Sequence, residues 1–346
     1  MKKFLPFVLV VLALLFSSMA CSLFDDIMNE DNFVTEEVPV APAQDSAEPA
    51  DTVETTLCTA DFDAMLAAQE AEPEDPADLR PEWGAADEEG TYLVTYTVDG
   101  NEIIEPVYED VPDELMDAQA DEANHAAIWE TFTAIIPASG RQDVAEFAVM
   151  TDGVDNTLAA VSQTTYDPNL WLLEVDVADA ENTPLLIATL VHEYAHLLTL
   201  GPAQVEPSEA IFNNPDDDAV YFDEQSACPR YFPGEGCPKA GAYIDAFYQQ
   251  FWDEIYAEWQ DVNLIEDEDA YYEALDEFYY AYEDWFVSDY AATNPEEDIA
   301  ETFMFFVLAE KPAGDTIAEE KILFFYEYPE LVRLRQQIRS GICRLN

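Results

Sequence analysis

The sequence predicts an α+β fold: a small mixed β-sheet in the N-terminal lobe, one long apolar helix against it, and a mainly α-helical C-terminal lobe. Three observations predict it. A hairpin signal and three strand-like runs precede residue 180. Residues Thr183 to Leu200 read as a buried helix with start and stop residues at its ends. Beyond residue 240, apolar and aromatic residues recur at helical spacing.

Residues 1–20 read as a secretory signal. Lys2 and Lys3 open it, Phe4 to Phe16 form an apolar core too short for a membrane span, and Ser18-Met19-Ala20 is a small-residue exit. Cys21 follows at once, so Ser18-Met19-Ala20-Cys21 resembles a bacterial lipobox, with Ser18 where Leu is usual. Cysteine parity favours lipidation of Cys21. Of five cysteines, Cys58, Cys228, Cys237 and Cys343 then remain, enough for two disulfides in an oxidising compartment. Cys228 and Cys237 bracket a short loop and suit a local bridge, which leaves Cys58 and Cys343 to tie the domain ends. Simple secretion is the alternative. Residues 22–57 hold ten acidic residues, three prolines and no Lys or Arg. Such a segment buries too little apolar surface to fold. With Cys21 it forms an acidic tether (21–57) that holds the folded part away from a membrane.

The formal charge is −63, or −65 once Lys2 and Lys3 leave with the signal (10 basic minus 75 acidic). Phosphate binding needs clustered Lys and Arg, so nucleic acid is excluded as a partner. Four of seven arginines, Arg333, Arg335, Arg339 and Arg344, lie in the last fourteen residues. Arg333 and Arg335 interrupt an apolar pattern and read as salt bridges to the acidic body.

About 290 residues follow the tether, enough for one large domain or two small ones. A first segment, 58–120, holds Thr91–Val98 and Ile103–Tyr108 around Asp99-Gly100, a hairpin signal. A second, 121–346, opens with a helix near 121–136, on whose surface His125 is expected. Three strands follow: Ala145–Met150, Leu158–Gln163 and Trp171–Val177, the last a candidate edge strand for an extended peptide. Residues 203–240 are Pro- and Asp-rich and read as loops. Within them Asn213 to Asp218 offers oxygen ligands for Ca²⁺. Two aromatic helices are expected over 241–287, with Ile244, Phe247, Phe251, Ile255 and Trp259 as their core stripe, and two more near 295–310 and 328–340.

The chemistry concentrates in Leu190-Val191-His192-Glu193-Tyr194-Ala195-His196, an H-E-x-x-H motif holding two of the three histidines. At i and i+4 of a helix, two imidazoles differ by about 40° of rotation and can grip one metal ion. Zn²⁺ accepts neutral imidazole and, in catalytic sites, takes three protein ligands and one water. Glu193 can lie beside that water as general base. Thr183 as N-cap, Pro184 in the first turn and Gly201-Pro202 at the end bound the helix. No histidine follows His196, which excludes the metzincin pattern; upstream His125 reads as a helix-surface residue, so a downstream carboxylate is the better candidate for the third ligand. Glu297 and Glu301 are i and i+4 on a predicted helix. One can bind zinc while the other accepts the free N–H of a ligating histidine. By the other reading, Asn294-Pro295-Glu296-Glu297 is a capping box and Glu301 is solvated.

These residues resemble a family. H-E-x-x-H, followed far downstream by Glu297-Asp298-Ile299-Ala300-Glu301 with a tyrosine seven residues before Glu297, is similar to the gluzincin metallopeptidases. The closest likeness is to bacterial zinc-binding metallopeptidases that share the motif with the catalytic domain of anthrax lethal factor. The likeness covers about 184–202 and 288–308. It implies a zincin-like fold, with His192, His196 and Glu297 as zinc ligands and Glu193 as the catalytic base. It implies that Glu301 is the outer partner and that Tyr290 stabilises the oxyanion. The chain departs from the pattern in the long gap between His196 and Glu297, which requires an inserted subdomain, and Glu224 is the alternative ligand. The implied activity is zinc-dependent endopeptidase action on a peptide or protein substrate at the cell surface. The competing reading is a non-catalytic surface binding lipoprotein on the same scaffold.

Overall fold

The computed structural model describes residues 90–153, 157–180, 182–265 and 267–345. The signal, Cys21, the tether and Cys58 lie outside the described residues. The fold is the α+β arrangement that the sequence predicts. Strands β1 (Thr91–Asp99) and β2 (Glu102–Tyr108) form a hairpin around Gly100, whose φ of 65° the tight turn requires. The short α1 (Met116–Ala120) and the longer α2 (Glu122–Ile135) follow, then β3 (Val144–Thr151), β4 (Ala159–Gln163) and β5 (Trp171–Asp176). The sheet order is β2-β1-β3-β5-β4, antiparallel except for the parallel β3–β5 pair.

Val94, Tyr96, Phe147, Val149, Leu173 and Val175 supply the apolar side of this sheet. Trp129 and Phe132 of α2 join it, the Trp129 ring 5.4 Å from Phe147. His125 is fully buried here and not on the helix surface. Its Nε2 donates to the Ala118 carbonyl (2.9 Å), so Nδ1 must accept from the Tyr96 hydroxyl (2.9 Å). Burial lowers its pKa and keeps the ring neutral. Strand β5 is not an edge. It lies between β3 and β4, buried at five of six positions, and β4 forms that edge of the sheet.

The long helix α3 (Thr183–Leu200) follows β5. Asn182, one residue before the expected cap, holds the N-cap position and accepts from Leu185 N–H, while Pro184 stands in the first turn. The helix ends at Gly201 in extended conformation, as expected. The segment 203–240 is more ordered than loops. It holds β6 (Val205–Pro207), α4 (Glu209–Asn213), α5 (Asp218–Ala227) and β7 (Gly236–Pro238), with β6 paired to β7. Asp217 caps α5, and the Asn213 and Asn214 amides bond back to α4 carbonyls, so the candidate Ca²⁺ stretch serves as two helix ends. The Cys228–Cys237 disulfide closes this unit, with Cα atoms 5.5 Å apart. Cys343 is also disulfide-bonded.

Three helices, not two, fill the next stretch: α6 (Tyr243–Phe251), α7 (Tyr256–Val262) and α8 (Glu268–Ala281). Ile244, Phe247, Phe251, Ile255 and Trp259 are buried, so the aromatic stripe is core. Then come α9 (Pro295–Leu308), the unforeseen α10 (Ile317–Phe324) and α11 (Pro329–Leu345). No described helix is long and apolar enough to cross a membrane.

The buried guanidiniums of α11 turn to main-chain carbonyls. Arg335 bonds Phe306 and Ala309, and Arg339 bonds Val307 and Leu308. These carbonyls end α9 without partners inside the helix, at the negative end of its dipole. Arg344 does the same for Ala134 at the end of α2.

Helix α11 meets α2 so closely that a Cβ on Gly341 would lie 2.4 Å from the Ala134 oxygen and 2.8 Å from Ile135 Cα. In a free helix, Gly→Ala is worth about 1 kcal/mol in favour of Ala. Here the clash is with backbone, which cannot rotate away. Gly341→Ala is expected to lower stability by about 1–3 kcal/mol, read as a lower urea midpoint. An unchanged or higher midpoint would show that the two helices can separate freely.

Candidate metal centre

The two motif helices meet at their functional residues. In α3, an 18-residue helix buried on most of its surface, His192, Glu193 and His196 face inward, each less than a tenth exposed. In α9, Asn294 caps the helix by accepting Glu297 N–H at 2.8 Å, and Pro295 opens its first turn. The cap is real, but it uses only the main-chain N–H of Glu297. The carboxylate is free to turn toward α3.

It does so. His192 Nε2 and His196 Nε2 are 3.1 Å apart, and Glu297 Oε2 lies 3.0 Å from the first and 3.4 Å from the second. A small ion bonded at about 2 Å with tetrahedral geometry needs its ligand atoms about 3.3 Å apart. The triangle of two imidazole nitrogens and one carboxylate oxygen fits that spacing. One ligand atom each of His192, Glu193 and His196 also lie within 4.8 Å of one another, a buried group able to hold a metal ion.

Glu301 is not solvated. It is buried, and its Oε1 lies 2.8 Å from His192 Nδ1 while Oε2 accepts from Ser288 Oγ at 2.8 Å. A carboxylate only accepts, so Nδ1 carries a proton, and Nε2, turned toward Glu297 and His196, is the nitrogen left to bind an ion once it gives up its own proton. Ser288 is the residue that sequence reasoning missed; its hydroxyl also accepts Ala291 N–H and so ties Glu301 to the turn Tyr290–Ala292. That turn places the Tyr290 ring 5.8 Å from the His192 ring, its hydroxyl bonded to Glu297. Glu224 does not reach the histidines; it accepts from Ser208 Oγ at 2.8 Å.

Electrostatics distinguish the carboxylates. Burial disfavours a charged His192, but its hydrogen bonds to Glu297 and Glu301 outweigh that and raise its pKa well above normal. His196 is raised too, burial being offset by Glu297. Glu297 is held below the usual carboxylate range, its burial outweighed by both histidines. Glu193 behaves differently: it has no hydrogen-bond partner among the described residues, and burial pushes its pKa up to about 7. Burial also raises Tyr290, with the Glu297 and Glu193 charges adding, so its phenol stays protonated.

Beside this group lies a second set of acids with no sequence signal. Burial pushes Glu235 up to about 7 and Glu296 up to about 8. Tyr231 donates to both Glu296 oxygens at 2.8 and 3.0 Å, while Glu235 Oε2 and the Tyr221 hydroxyl are buried with no hydrogen-bond partner among the described residues.

No protein-family model matches the chain, and no curated protein or solved structure is significantly similar to it.

Two outcomes are expected. Glu301→Ala removes the acceptor that orients His192 and should weaken metal binding about 10–100-fold; chelator-competition titration measures it, and unchanged affinity would remove Glu301 from the site. The metal-free protein should also lose stability as pH rises. Glu193, Glu235 and Glu296 have raised values, so each holds its proton in the folded state where the unfolded chain has lost it. The raised histidines contribute fully below about 6.5 and lose that contribution through their higher folded values. All five groups bind more protons when folded, which makes stability fall with pH. Glu297, with its lowered value, has the opposite sign but only in strongly acidic solution. Thermal midpoints of chelator-treated protein should therefore drop between pH 6 and pH 8, as values of about 7 and about 8 imply; a rising midpoint contradicts this account.

Proposed function

We propose that this chain is a zinc-dependent metallopeptidase of gluzincin type. The observation that carries the reading is the triangle of His192 Nε2, His196 Nε2 and Glu297 Oε2, with edges of 3.0, 3.1 and 3.4 Å. Two imidazoles and one carboxylate suit Zn²⁺ and leave the fourth position open, as hydrolysis requires. A bound zinc would polarise the scissile carbonyl and acidify a water.

The chain's own groups have matching roles. Glu193, buried and unpartnered with a pKa of about 7, can take a proton from the attacking water and return it to the leaving amine. Tyr290 stays protonated beside Glu297 and can donate to the oxyanion that develops. Glu301 and Ser288 hold His192 in the tautomer that presents Nε2. Strand β4 is an edge and packs near α3, so an extended peptide can add to it by main-chain hydrogen bonds. Among the described residues the Cys228–Cys237 bridge supports the exported location proposed from residues 1–20, with membrane attachment through Cys21.

Glu193→Gln keeps the shape of the site and removes the base. It should lower hydrolysis of a casein-like substrate about 10²–10⁴-fold while bound zinc, measured by metal analysis, is unchanged. Equal hydrolysis by the wild type and the variant would sink the peptidase reading and leave a binding protein.

A further inference from the structure

Directly after Glu297 stands a charged group that the metal centre does not use. Asp298 is fully buried, as is Lys321 of α10. Asp298 Oδ2 accepts from Lys321 Nζ at 2.5 Å and from Trp252 Nε1 at 2.7 Å, and Oδ1 accepts from Thr302 Oγ1 at 3.2 Å. The ammonium is otherwise enclosed by aromatic rings, 4.1 Å from the Phe286 centroid and 5.8 Å from Trp252.

We propose that Asp298 and Lys321 are a positioning pair, which fixes the rotation of α9 about its axis and so sets Glu297 and Glu301 against the histidines of α3. This rests on the metal-centre reading given above. On a helix, Glu297 and Glu301 lie about 40° apart on one face, and Asp298 lies about 100° from Glu297 toward the other. Their carboxylates stand about 5–6 Å from the helix axis, so a turn of about 10° moves each by about 1 Å. Metal–ligand distances tolerate only about 0.2 Å. The rotation of α9 must therefore be held to a few degrees. Phe303 and Phe306 pack α9 without directional preference, whereas an ion pair with two further donors on the same carboxylate is directional. Stability alone gives little reason for the pair, since a buried ion pair can often be replaced by apolar groups without loss.

The test uses the full-length protein with Lys321→Met, the neutral double substitution Asp298→Asn with Lys321→Met, and Asp298→Asn alone. Three quantities are measured on each: the thermal midpoint without metal, Zn²⁺ affinity by chelator competition, and the visible spectrum of the Co²⁺ form. Lys321→Met leaves a buried carboxylate unpaired and should lower the midpoint. The double variant should recover most of that loss, yet bind Zn²⁺ about ten-fold more weakly than wild type and give a shifted Co²⁺ spectrum. Asp298→Asn keeps an oxygen to accept from Trp252, with its amide NH₂ able to donate to the Thr302 hydroxyl, and gives the same reading where the double variant does not fold. Wild-type Zn²⁺ affinity with a wild-type Co²⁺ spectrum in the folded variants overturns the proposal and leaves the pair a purely stabilising role. An affinity loss that only follows the folded fraction, with the spectrum unchanged, overturns it as well. A wild-type protein that binds neither ion sinks the metal-centre reading itself, before any variant is compared.

Discussion

The structure depends on one contact between distant parts of the chain, the meeting of α3 and α9. Separations of 105 and 109 residues are bridged at His192, by Glu297 on Nε2 and Glu301 on Nδ1. Both partners of each pair are largely removed from water. Charges taken out of water are costly unless they are paired and hydrogen-bonded. Here nearly every polar atom of the pairs has a partner: Nδ1 on Glu301, Glu301 Oε2 on Ser288, Nε2 on Glu297. The arrangement is stable only when both helices are in register, so the folded C-terminal lobe and the assembled site are one condition.

The chain between the two helices serves that condition. The aromatic core built from α6 to α8 surrounds one side of α9, where Trp252 and Phe286 meet Asp298 and Lys321. Phe303 packs edge-on to Tyr194 of α3 at 6.2 Å, joining the helices through a residue that stands between the two histidines in sequence. From the far end, Arg335 and Arg339 of α11 hold the last carbonyls of α9. The chain between α3 and α9 thus brings the Glu297 carboxylate back to the two histidines and fixes its direction.

Much of this was legible in the sequence because the signals were local. The 3.6-residue repeat, Pro184 and Gly201 bound α3; Asn294 and Pro295 start α9; Asp99-Gly100 marks the hairpin. The expected cap was displaced by one residue, since Asn182 and Thr183 are both good caps and their order is settled only by where β5 releases the chain. What was not legible depends on long-range neighbours. The edge position passed from β5 to β4 because pairing order is not written in either strand's periodicity. His125 looks solvent-facing until Tyr96, 29 residues earlier, supplies a donor for it. Ser288 has meaning only once Glu301 is beside it. Arg333 and Arg335 suggested salt bridges in so acidic a chain, but the buried guanidiniums of Arg335 and Arg339 suit the carbonyls that a helix end leaves unpaired.

The acid excess itself takes on a local meaning at the site. Glu193, Glu235 and Glu296 all have raised pKa values, largely through burial. Neighbouring acids add to this, since Glu297 raises Glu193 and Glu235 raises Glu296, while the histidines oppose it at Glu193 and Glu235. A divalent ion between His192, His196 and Glu297 would reverse that balance, because it favours the charged form of every carboxylate around it. The buried acids would then release protons as the ion enters, beyond those lost by the two histidines. Ion binding, proton release and the ionised state of Glu193 are in this way one coupled equilibrium, set by burial and not by any single residue.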